Sequence, residues 1–569
     1  MKRILFALYG AAILLSACTA QDLYLDQNPY RKIVEYTPGS FSVNDVPGTI
    51  SADMLYDWIS FTQSGSTVNF TIRRNTGGIR RAEFSISGSK DNLVISQRAH
   101  TLDAKVSADI VSNIAGTATI AMSMSTSFSD DYESWGITYG TSSDRTSGTD
   151  VPQTGFVVGD NTGKLTGLKD GTDYFVWTYA VSTEGDKVYS DMVAIIPPVY
   201  VKAGENLQAA LNGAKAYAEV RVQGGAEFNG PIVFFGNENK SISGGWNADF
   251  TTQSMDNLSV INGNGKTRGV VCTADETAAA LPGSATVSYF EVKNCAGSGG
   301  VALVASGGPV NVHHCWFHDN ECTDGGAVAT RSGGVATELN VWNCKFSQNT
   351  ATSGHCCGVA FGEGPGVENP VTGVVANCLF VDNWCRAFGG YASVIFSQAN
   401  SRIAFVNNTI VENFNYMDGG TMYQGIVLRD NSANLFANNI IVGNTIAVDK
   451  QNPPVPFRHP NIIGAGSSGT TIVYNVYEGT WRGGSNVVAE GNVMCDVDFD
   501  YKTVCDANYK PCGKSLGLGS LSTFTVQDRR ETEKHEFNLK SILGKYNTDL
   551  AGNPRVVYGK VDAGCYQTQ

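Results

Sequence analysis

The apolar pattern in the middle of the chain repeats at long range. Between Val312 and Asn444 a seven-residue phrase occurs five times: His314-Cys315-Trp316-Phe317-His318-Asp319-Asn320, Asn343-Cys344-Lys345-Phe346-Ser347-Gln348-Asn349, Asn377-Cys378-Leu379-Phe380-Val381-Asp382-Asn383, Asn407-Asn408-Thr409-Ile410-Val411-Glu412-Asn413 and Asn438-Asn439-Ile440-Ile441-Val442-Gly443-Asn444. The closing asparagines are 29, 34, 30 and 31 residues apart, which is the spacing of stacked repeats with one structural unit per period. Within each period, short β-branched and aromatic runs are broken by Gly, Asn and Ser, and no apolar residues fall at helical spacing. A glycine pair falls between copies, at Gly299-Gly300, Gly325-Gly326, Gly389-Gly390 and Gly419-Gly420. Three short strands per period predict a parallel β-helix of about ten coils. At roughly 4.8 Å between coils, the column Phe317, Phe346, Phe380, Ile410, Ile441 should fill the core. The column Asn320, Asn349, Asn383, Asn413, Asn444 should form an amide ladder at a bend where asparagine takes left-handed backbone.

Ahead of the repeats the period shortens to two. Val68–Ile72, Ala82–Ile86 and Leu93–Gln97 alternate around a turn at Asn75-Thr76-Gly77-Gly78 and predict a β-sandwich over 36–99. Ser134–Tyr139 and Phe175–Val181 predict a second sandwich over 101–198. There the spacing from Leu168 to Tyr174 fits a tyrosine corner, and Pro197-Pro198 forms a stiff end. Glu205–Tyr217, with Leu207, Ala210, Leu211 and Ala214 on one face, reads as a helix capping the solenoid of 199–569. The fold class is therefore all-β: two β-sandwich domains followed by a right-handed parallel β-helix of the pectin-lyase-like kind.

The N-terminus has another character. Met1-Lys2-Arg3, the apolar run Ile4–Leu15 and then Leu15-Ser16-Ala17-Cys18 read as a secretory leader over 1–17. Its end resembles a bacterial lipobox, which implies cleavage before Cys18 and lipidation of that cysteine, with 18–35 as a tether from the membrane. Other stretches resemble known families. Trp58-Ile59, Asn75-Thr76-Gly77 with Arg81, and Val94-Ile95-Ser96-Gln97 are similar to the BACON domain, a Bacteroidetes-associated sandwich proposed to bind carbohydrate or mucin or to act as a spacer. The corner region around Leu165–Tyr174 resembles a fibronectin type III domain. Ser241-Ile242-Ser243-Gly244-Gly245-Trp246-Asn247, the repeats, and the ending Asn553-Pro554-Arg555 to Tyr566 resemble the choice-of-anchor Q, pectin-lyase-like β-helix proteins, with repeats also similar to polymorphic outer-membrane proteins. In that family Cys565 stands where a small residue is usual, which implies a locally different final coil. Together the resemblances imply a lipoprotein of a Bacteroidetes outer membrane, displayed at the cell surface.

Charge narrows the partners. The formal net charge is −13, or −15 without Lys2 and Arg3, which sets nucleic acid aside and gives no general attraction to polyanions, although a local basic cleft is compatible with it. Of fourteen cysteines, all but Cys18 lie at or beyond Cys272. They form no CxxC pair, so no metal centre is expected. Cys315, Cys344 and Cys378 should stack as small apolar thiols, while Cys495, Cys505, Cys512 and Cys565 are candidates for disulfides in an oxidising compartment.

A β-helix can host polysaccharide lyases and glycoside hydrolases. These require a base and a cation for the substrate carboxylate, or two carboxylates across a groove. The densest set of suitable residues is His313, His314, His318, Asp319, Glu321, Asp324 and Arg331, with Lys345 and Arg386 on neighbouring coils. His318, Asp319, Lys345, Asp382 and Arg386 are the catalytic candidates. Stacked carboxylates at Asp319, Asp382 and Glu412 can bind calcium between coils or form a solvated edge. Trp316, Trp384 and Tyr391 are candidates for stacking on sugar rings. No phosphate loop, serine elbow or HExxH motif occurs. The expected function is a monomeric, membrane-anchored protein that presents its β-helix to polysaccharides or to host or bacterial surface glycans without catalysis. A β-helix lyase or hydrolase and a protein-binding adhesin are the alternatives.

Overall fold

The computed structural model describes residues 30–568 apart from short internal stretches, the longer of them being 76–79, which takes in most of the expected turn at Asn75-Thr76-Gly77-Gly78, and 99–103, 127–131, 365–368, 388–392, 418–425, 429–432, 448–454, 457–461, 465–468, 483–486 and 528–533. The leader, Cys18, most of the tether and the second two glycine pairs lie outside the described residues. The chain divides into two compact units, Met1–Ile195 and Ile196–Gln569.

The first unit holds two sandwiches. In one, the sheet of Arg31–Val34, Leu93–Gln97, Arg80–Ile86 and Ile50–Ser51 shares a core with the sheet of Gly39–Val43, Thr67–Ile72 and Ile59–Ser64. The alternation of Thr67–Ile72 turns Val68, Phe70 and Ile72 inward against Phe84 and Trp58. In the other, Trp135, Ile137 and Val176 of one sheet share a core with Ile120, Met122 and Leu165 of the second. There the Tyr174 phenol accepts the backbone N–H of Lys169 at 3.0 Å, so the tyrosine corner forms.

The second unit is a right-handed parallel β-helix. Its coils run through four sheets rather than the expected three strands. Sheet I has eleven strands, from Val199–Val201 to Val487–Glu490, and sheet II has ten, from Glu227–Asn229 to Val493–Cys495. Sheet III has seven short strands, from Ala296–Gly297 to Val455–Pro456, and sheet IV has nine, from Ile232–Val233 to Trp481–Arg482. The additional strand arises because, in the coils from Tyr289 to Gly443, single left-handed residues turn the chain twice, once between sheets I and II and once between II and III. Helix α1 (Leu207–Gly213) opens the solenoid and buries Leu207 and Leu211. It begins at Asn206, whose side chain accepts from Ala209 N–H at 2.9 Å. It stops short of Tyr217 because the backbone is already extended at Ala214.

The register bears out the core column: Phe317, Phe346, Phe380, Ile410 and Ile441 are successive partners and all are buried. The ladder also forms. Each Nδ2 donates to the next Oδ1, from Asn320 to Asn349 at 2.9 Å, Asn349 to Asn383 at 2.9 Å, Asn383 to Asn413 at 2.8 Å and Asn413 to Asn444 at 2.9 Å. The left-handed residue, however, is the one before the asparagine: Asp319, Gln348, Asp382, Glu412 and Gly443 have φ between 53° and 65°. This division of labour has a physical reason. The corner residue turns the chain outward, which leaves the next side chain pointing inward to bridge the coils.

The other corner has the same design. His314, Asn343, Asn377, Asn407 and Asn438 are left-handed. Behind them, Asn408, Asn439, Asn475 and Asn492 form a second inner ladder with Nδ2 to Oδ1 distances of 3.0, 2.8 and 3.0 Å. Cys315, Cys344 and Cys378 occupy this column in earlier coils. The backbone N–H of Cys378 donates to Asn408 Oδ1 at 3.0 Å, and the three thiols donate to the carbonyls of His313, Trp342 and Ala376, so the column stays hydrogen-bonded where cysteine replaces asparagine. Cys495, Cys505, Cys512 and Cys565 are thiols, contrary to the disulfides expected among them.

The ending departs from expectation most. Sheet II finishes at Val493–Cys495, and the chain beyond does not add a final coil but packs on the outside of earlier ones. Val504, Cys505, Ala563 and Cys565 lie on Leu379, Val381, Val411, Ile440 and Val442. The hairpin Thr523–Gln527 and Lys534–Asn538, with helix α2 (Leu539–Lys545), covers Val406, Leu435 and Val473. The left-handed asparagines reach out to this cover: Asn343 Nδ2 donates to Thr548 Oγ1 (2.9 Å), Asn377 Nδ2 to Thr548 O (2.9 Å), Asn407 Nδ2 to Asp562 O (2.8 Å) and Asn438 Nδ2 to Ser520 O (3.1 Å).

Candidate functional site

The outer face of sheet II changes character along the solenoid. On either side of the inward column Phe228, Ile261, Val292, Phe317, Phe346 lie Glu227, Val260, Glu291, Trp316, Lys345 and Asn229, Asn262, Lys293, His318, Ser347. One coil later these positions become Leu379 and Val381, and the cover begins. The cover therefore hides an apolar stripe and leaves a polar and aromatic strip bare on the earlier coils.

The strip is a closed network. His318 is buried, with Nδ1 at 2.6 Å from Asp319 Oδ2 and Nε2 at 3.1 Å from Glu291 Oε1. Lys293 Nζ donates to Glu291 Oε1 at 2.8 Å. Burial pushes the Glu291 carboxyl upward, but the bonds from Lys293 and His318 outweigh it and hold the group below the usual range. The Trp316 ring lies against His318 with centroids 4.1 Å apart and donates from Nε1 to Ser347 Oγ at 2.8 Å. The Lys345 ammonium sits 4.8 Å from the Trp316 ring centre, and burial lowers its pKa. The structure thus brings His318, Asp319, Lys345 and Trp316 together, and adds Glu291 and Lys293, which the repeated phrase does not contain. Their signal in the sequence is the polar pair flanking each core residue.

The remaining candidates lie elsewhere. Asp382 is two coils from Asp319, with Gln348 between them, and accepts from Trp384 Nε1 at 3.3 Å. Glu412, the next carboxylate along that corner, is held by the phenols of Tyr501 and Tyr509, the latter at 3.2 Å, which engages one member of the Asp382–Glu412 pair. Trp384 stacks on Phe414 at 4.6 Å and 18°. Equivalent positions on adjacent coils sit at ring-stacking distance, so its ring pairs with its neighbour along the solenoid. Arg386 is on a sheet III strand, but its side chain lies outside the described residues, as does all of Tyr391. His313 and His314 pack at the corner of sheets I and II, with their Nδ1 atoms 2.9 Å apart. His313 stacks on Trp342 at 4.5 Å and His314 on Tyr289 at 4.7 Å. Burial lowers the pKa of His313 to about 3 and of His314 to about 4. Among the described residues no group of three or more His, Cys, Asp and Glu is placed to hold a metal ion.

What the strip can do chemically follows from this closure. A general base or acid needs a free nitrogen or oxygen aimed at a ligand. Here both ring nitrogens of His318 face carboxylates, and Glu291 carries two donors. The arrangement offers fixed donors and acceptors on a rigid sheet, which suits recognition.

No family model matches this chain, and no curated protein matches it. Among solved structures, the chain is similar to a family 28 exopolygalacturonase of Yersinia enterocolitica, at 12% identity over 68% of this chain and 96% of that one, with a TM-score of 0.18. It is also similar to the pectate lyase PelI of Erwinia chrysanthemi in complex with tetragalacturonic acid (12% identity, 62% of this chain, 88% of that chain, TM-score 0.15) and to the pectate lyase Pel3 of Pectobacterium carotovorum (11%, 61%, 87%, 0.13). At these identities and TM-scores the likenesses say nothing of activity, and the fold rests on the strand register itself.

Proposed function

We propose that this chain is a cell-surface lipoprotein, anchored through Cys18, whose β-helix binds glycans without catalysis through the bare strip Glu227–Ser347 of sheet II. The observation that carries this reading is the closed network around His318. Polar and aromatic groups are held rigidly on a face that the C-terminal cover leaves alone, and His318, Asp319, Glu291 and Lys293 there already bond one another. Glycan recognition uses such pre-placed donors and acceptors, whereas cleavage needs an uncommitted pair.

The test uses the purified full chain on immobilised neutral and acidic polysaccharides, with ultraviolet absorbance for unsaturated products and a reducing-end assay run in parallel, with and without calcium. Retention without products, weakened by Trp316→Ala, is the expected result. Unsaturated ends would establish a lyase and new reducing ends alone a hydrolase, and either would overturn the non-catalytic reading.

A further inference from the structure

The two ends of the solenoid are finished differently. At the first coil, Ile232 and Phe234 donate to Gly269 and Val271 of the next coil, and Val233 between them faces the other way. Helix α1 satisfies that edge. Gln208 accepts the N–H of Val233 at 2.8 Å and donates from Nε2 to its carbonyl at 2.9 Å. At the last coil the strands Trp481–Arg482, Val487–Glu490 and Val493–Cys495 end sheets IV, I and II. Among the described residues no strand pairs with their far edges, because the chain after Cys495 turns back along the outside of earlier coils. Alternate N–H and C=O groups of an edge strand point away from its neighbour, so this end offers an unfilled backbone register.

The core is open at the same place. Met494 is the last member of the inward column Phe346, Phe380, Ile410, Ile441, Tyr477, Met494. Tyr477 is 4% exposed, whereas Met494 is 61% exposed. On sheet I the inward series Phe405, Phe436, Ile472 is buried but ends at Ala489, which is exposed. Beside it Val488 is 55% exposed. The inner ladder also stops here. The main-chain N–H groups of Asn408, Asn439 and Asn475 each donate to the amide oxygen of the next rung, the last of which is Asn492. Among the described residues no further rung accepts from Asn492. Natural edge strands are commonly blunted by lysine or proline, but Val487-Val488-Ala489-Glu490 and Val493-Met494-Cys495 contain neither.

We propose that this open last coil, through Val487–Glu490 and Met494, joins a second copy of the chain end to end. Helix α1 blocks the opposite end, so copies cannot stack head to tail into a filament, and the contact closes about a two-fold axis. An axis crossing Val487–Glu490 sets that strand antiparallel to its counterpart, while Met494 and Ala489 of each copy cover the open core of the other. The rim suits such self-pairing. Asp496 and Lys514 are both exposed, and both lie close enough to Cys495 to act on its thiol with opposite sign. A rim that carries both signs meets itself without net repulsion, which a rim of one sign would not. Two copies so joined replace the single copy that the sequence leads one to expect, and they carry two sheet II strips on one body. The pairing itself does not rest on the glycan reading.

The experiment is sedimentation equilibrium of the full chain carrying Cys18→Ser, so that no acyl group drives association, combined with hydrogen exchange of the amides of 487–495. A monomer–dimer equilibrium should appear below about 100 μM, the range of a small interface, and protection of those amides should rise with protein concentration. Met494→Lys and Val488→Lys each put a charge into the joint at a position that is solvent-exposed in the single copy. Their melting curves in dilute solution should match wild type, and each should raise the dissociation constant by about tenfold or more. Trp316→Ala should leave the equilibrium unchanged, so glycan retention and pairing are read separately. A chain still monomeric at about 100 μM, or a dimer that persists in both lysine variants, would overturn the proposal. So would equal protection of 487–495 at every concentration, which would mean that the chain covers its own edge. Assemblies that grow beyond two copies would overturn the closed arrangement. Protection that appears only on adding an unrelated extended peptide, without self-association, would give this end to a foreign strand instead.

Discussion

Asn383 shows how much one side chain carries in this fold. Its Nδ2 donates to Asn413 Oδ1 (2.8 Å), Phe346 O (3.0 Å) and Val381 O (3.1 Å), while its Oδ1 accepts from the amide side chain and the backbone of Asn349. Replacement by alanine strands several buried donors and acceptors at once. Asn383→Ala should therefore cost about 3–5 kcal/mol, read as a lower urea midpoint. The histidine pair makes a prediction about pH. Between Tyr289 and Trp342, and against Asn343, His313 and His314 share one contact between ring nitrogens that needs a proton on one nitrogen and none on the other, so the pair cannot hold both added protons. The unfolded chain takes up these protons near pH 6.5, the folded chain only near about 4 and about 3. In that window the unfolded state binds more protons, so stability is full above pH 6.5 and falls as the solution is acidified toward pH 4. His314 sits at φ 52° in a column that is asparagine in the next four coils. His314→Asn should thus fold, and its melting temperature should fall less between pH 7 and 4.5 than that of wild type.

At the level of elements, the cover is held by a modest apolar contact repeated over several coils. Leu543 on α2 is buried against the sheet I face that contains Leu435 and Val473. Leu543→Ala should cost about 2–5 kcal/mol locally, seen as faster proteolysis within 500–568 while the coils stay intact. The coils themselves are legible in the sequence because their period is written in two columns, Phe317 to Ile441 and Asn320 to Asn444. The cover is not, because its residues have no period of their own and the phrase Asn553 to Tyr566 gives no sign of where it packs. Its trace lies instead in the surface it covers. Lys345 and Ser347 flank Phe346 with polar groups, whereas Leu379 and Val381 flank Phe380 with apolar ones, and outward apolar residues on a strand require something to cover them. The left-handed corner falls one residue earlier than the asparagine column suggests, for a related reason. Both residues at the corner are commonly polar, and only the hydrogen bonds distinguish the one that turns the chain from the one that bridges.

Across the whole chain, the two sandwiches are readable from strict alternation and from the Tyr174 corner, since a half-buried sheet advertises its face at every second residue. The candidate site is only half readable. His318, Asp319, Lys345 and Trp316 lie within two copies of one phrase, but Glu291 belongs to an earlier coil that lacks the phrase. The return of the C-terminal segment has a mechanical consequence. Cys565 N–H bonds Thr409 Oγ1 at 2.9 Å and Gly564 N–H bonds Asn438 O at 2.8 Å, so a pull transmitted through Gln567 reaches the middle of the stack before its last coils. Coils peeled from an open end would come away singly, each rupture loading only the next ladder. A strap fastened at Asn343, Asn377, Asn407 and Asn438 instead loads several rungs together in shear, so the later coils should resist traction as one block.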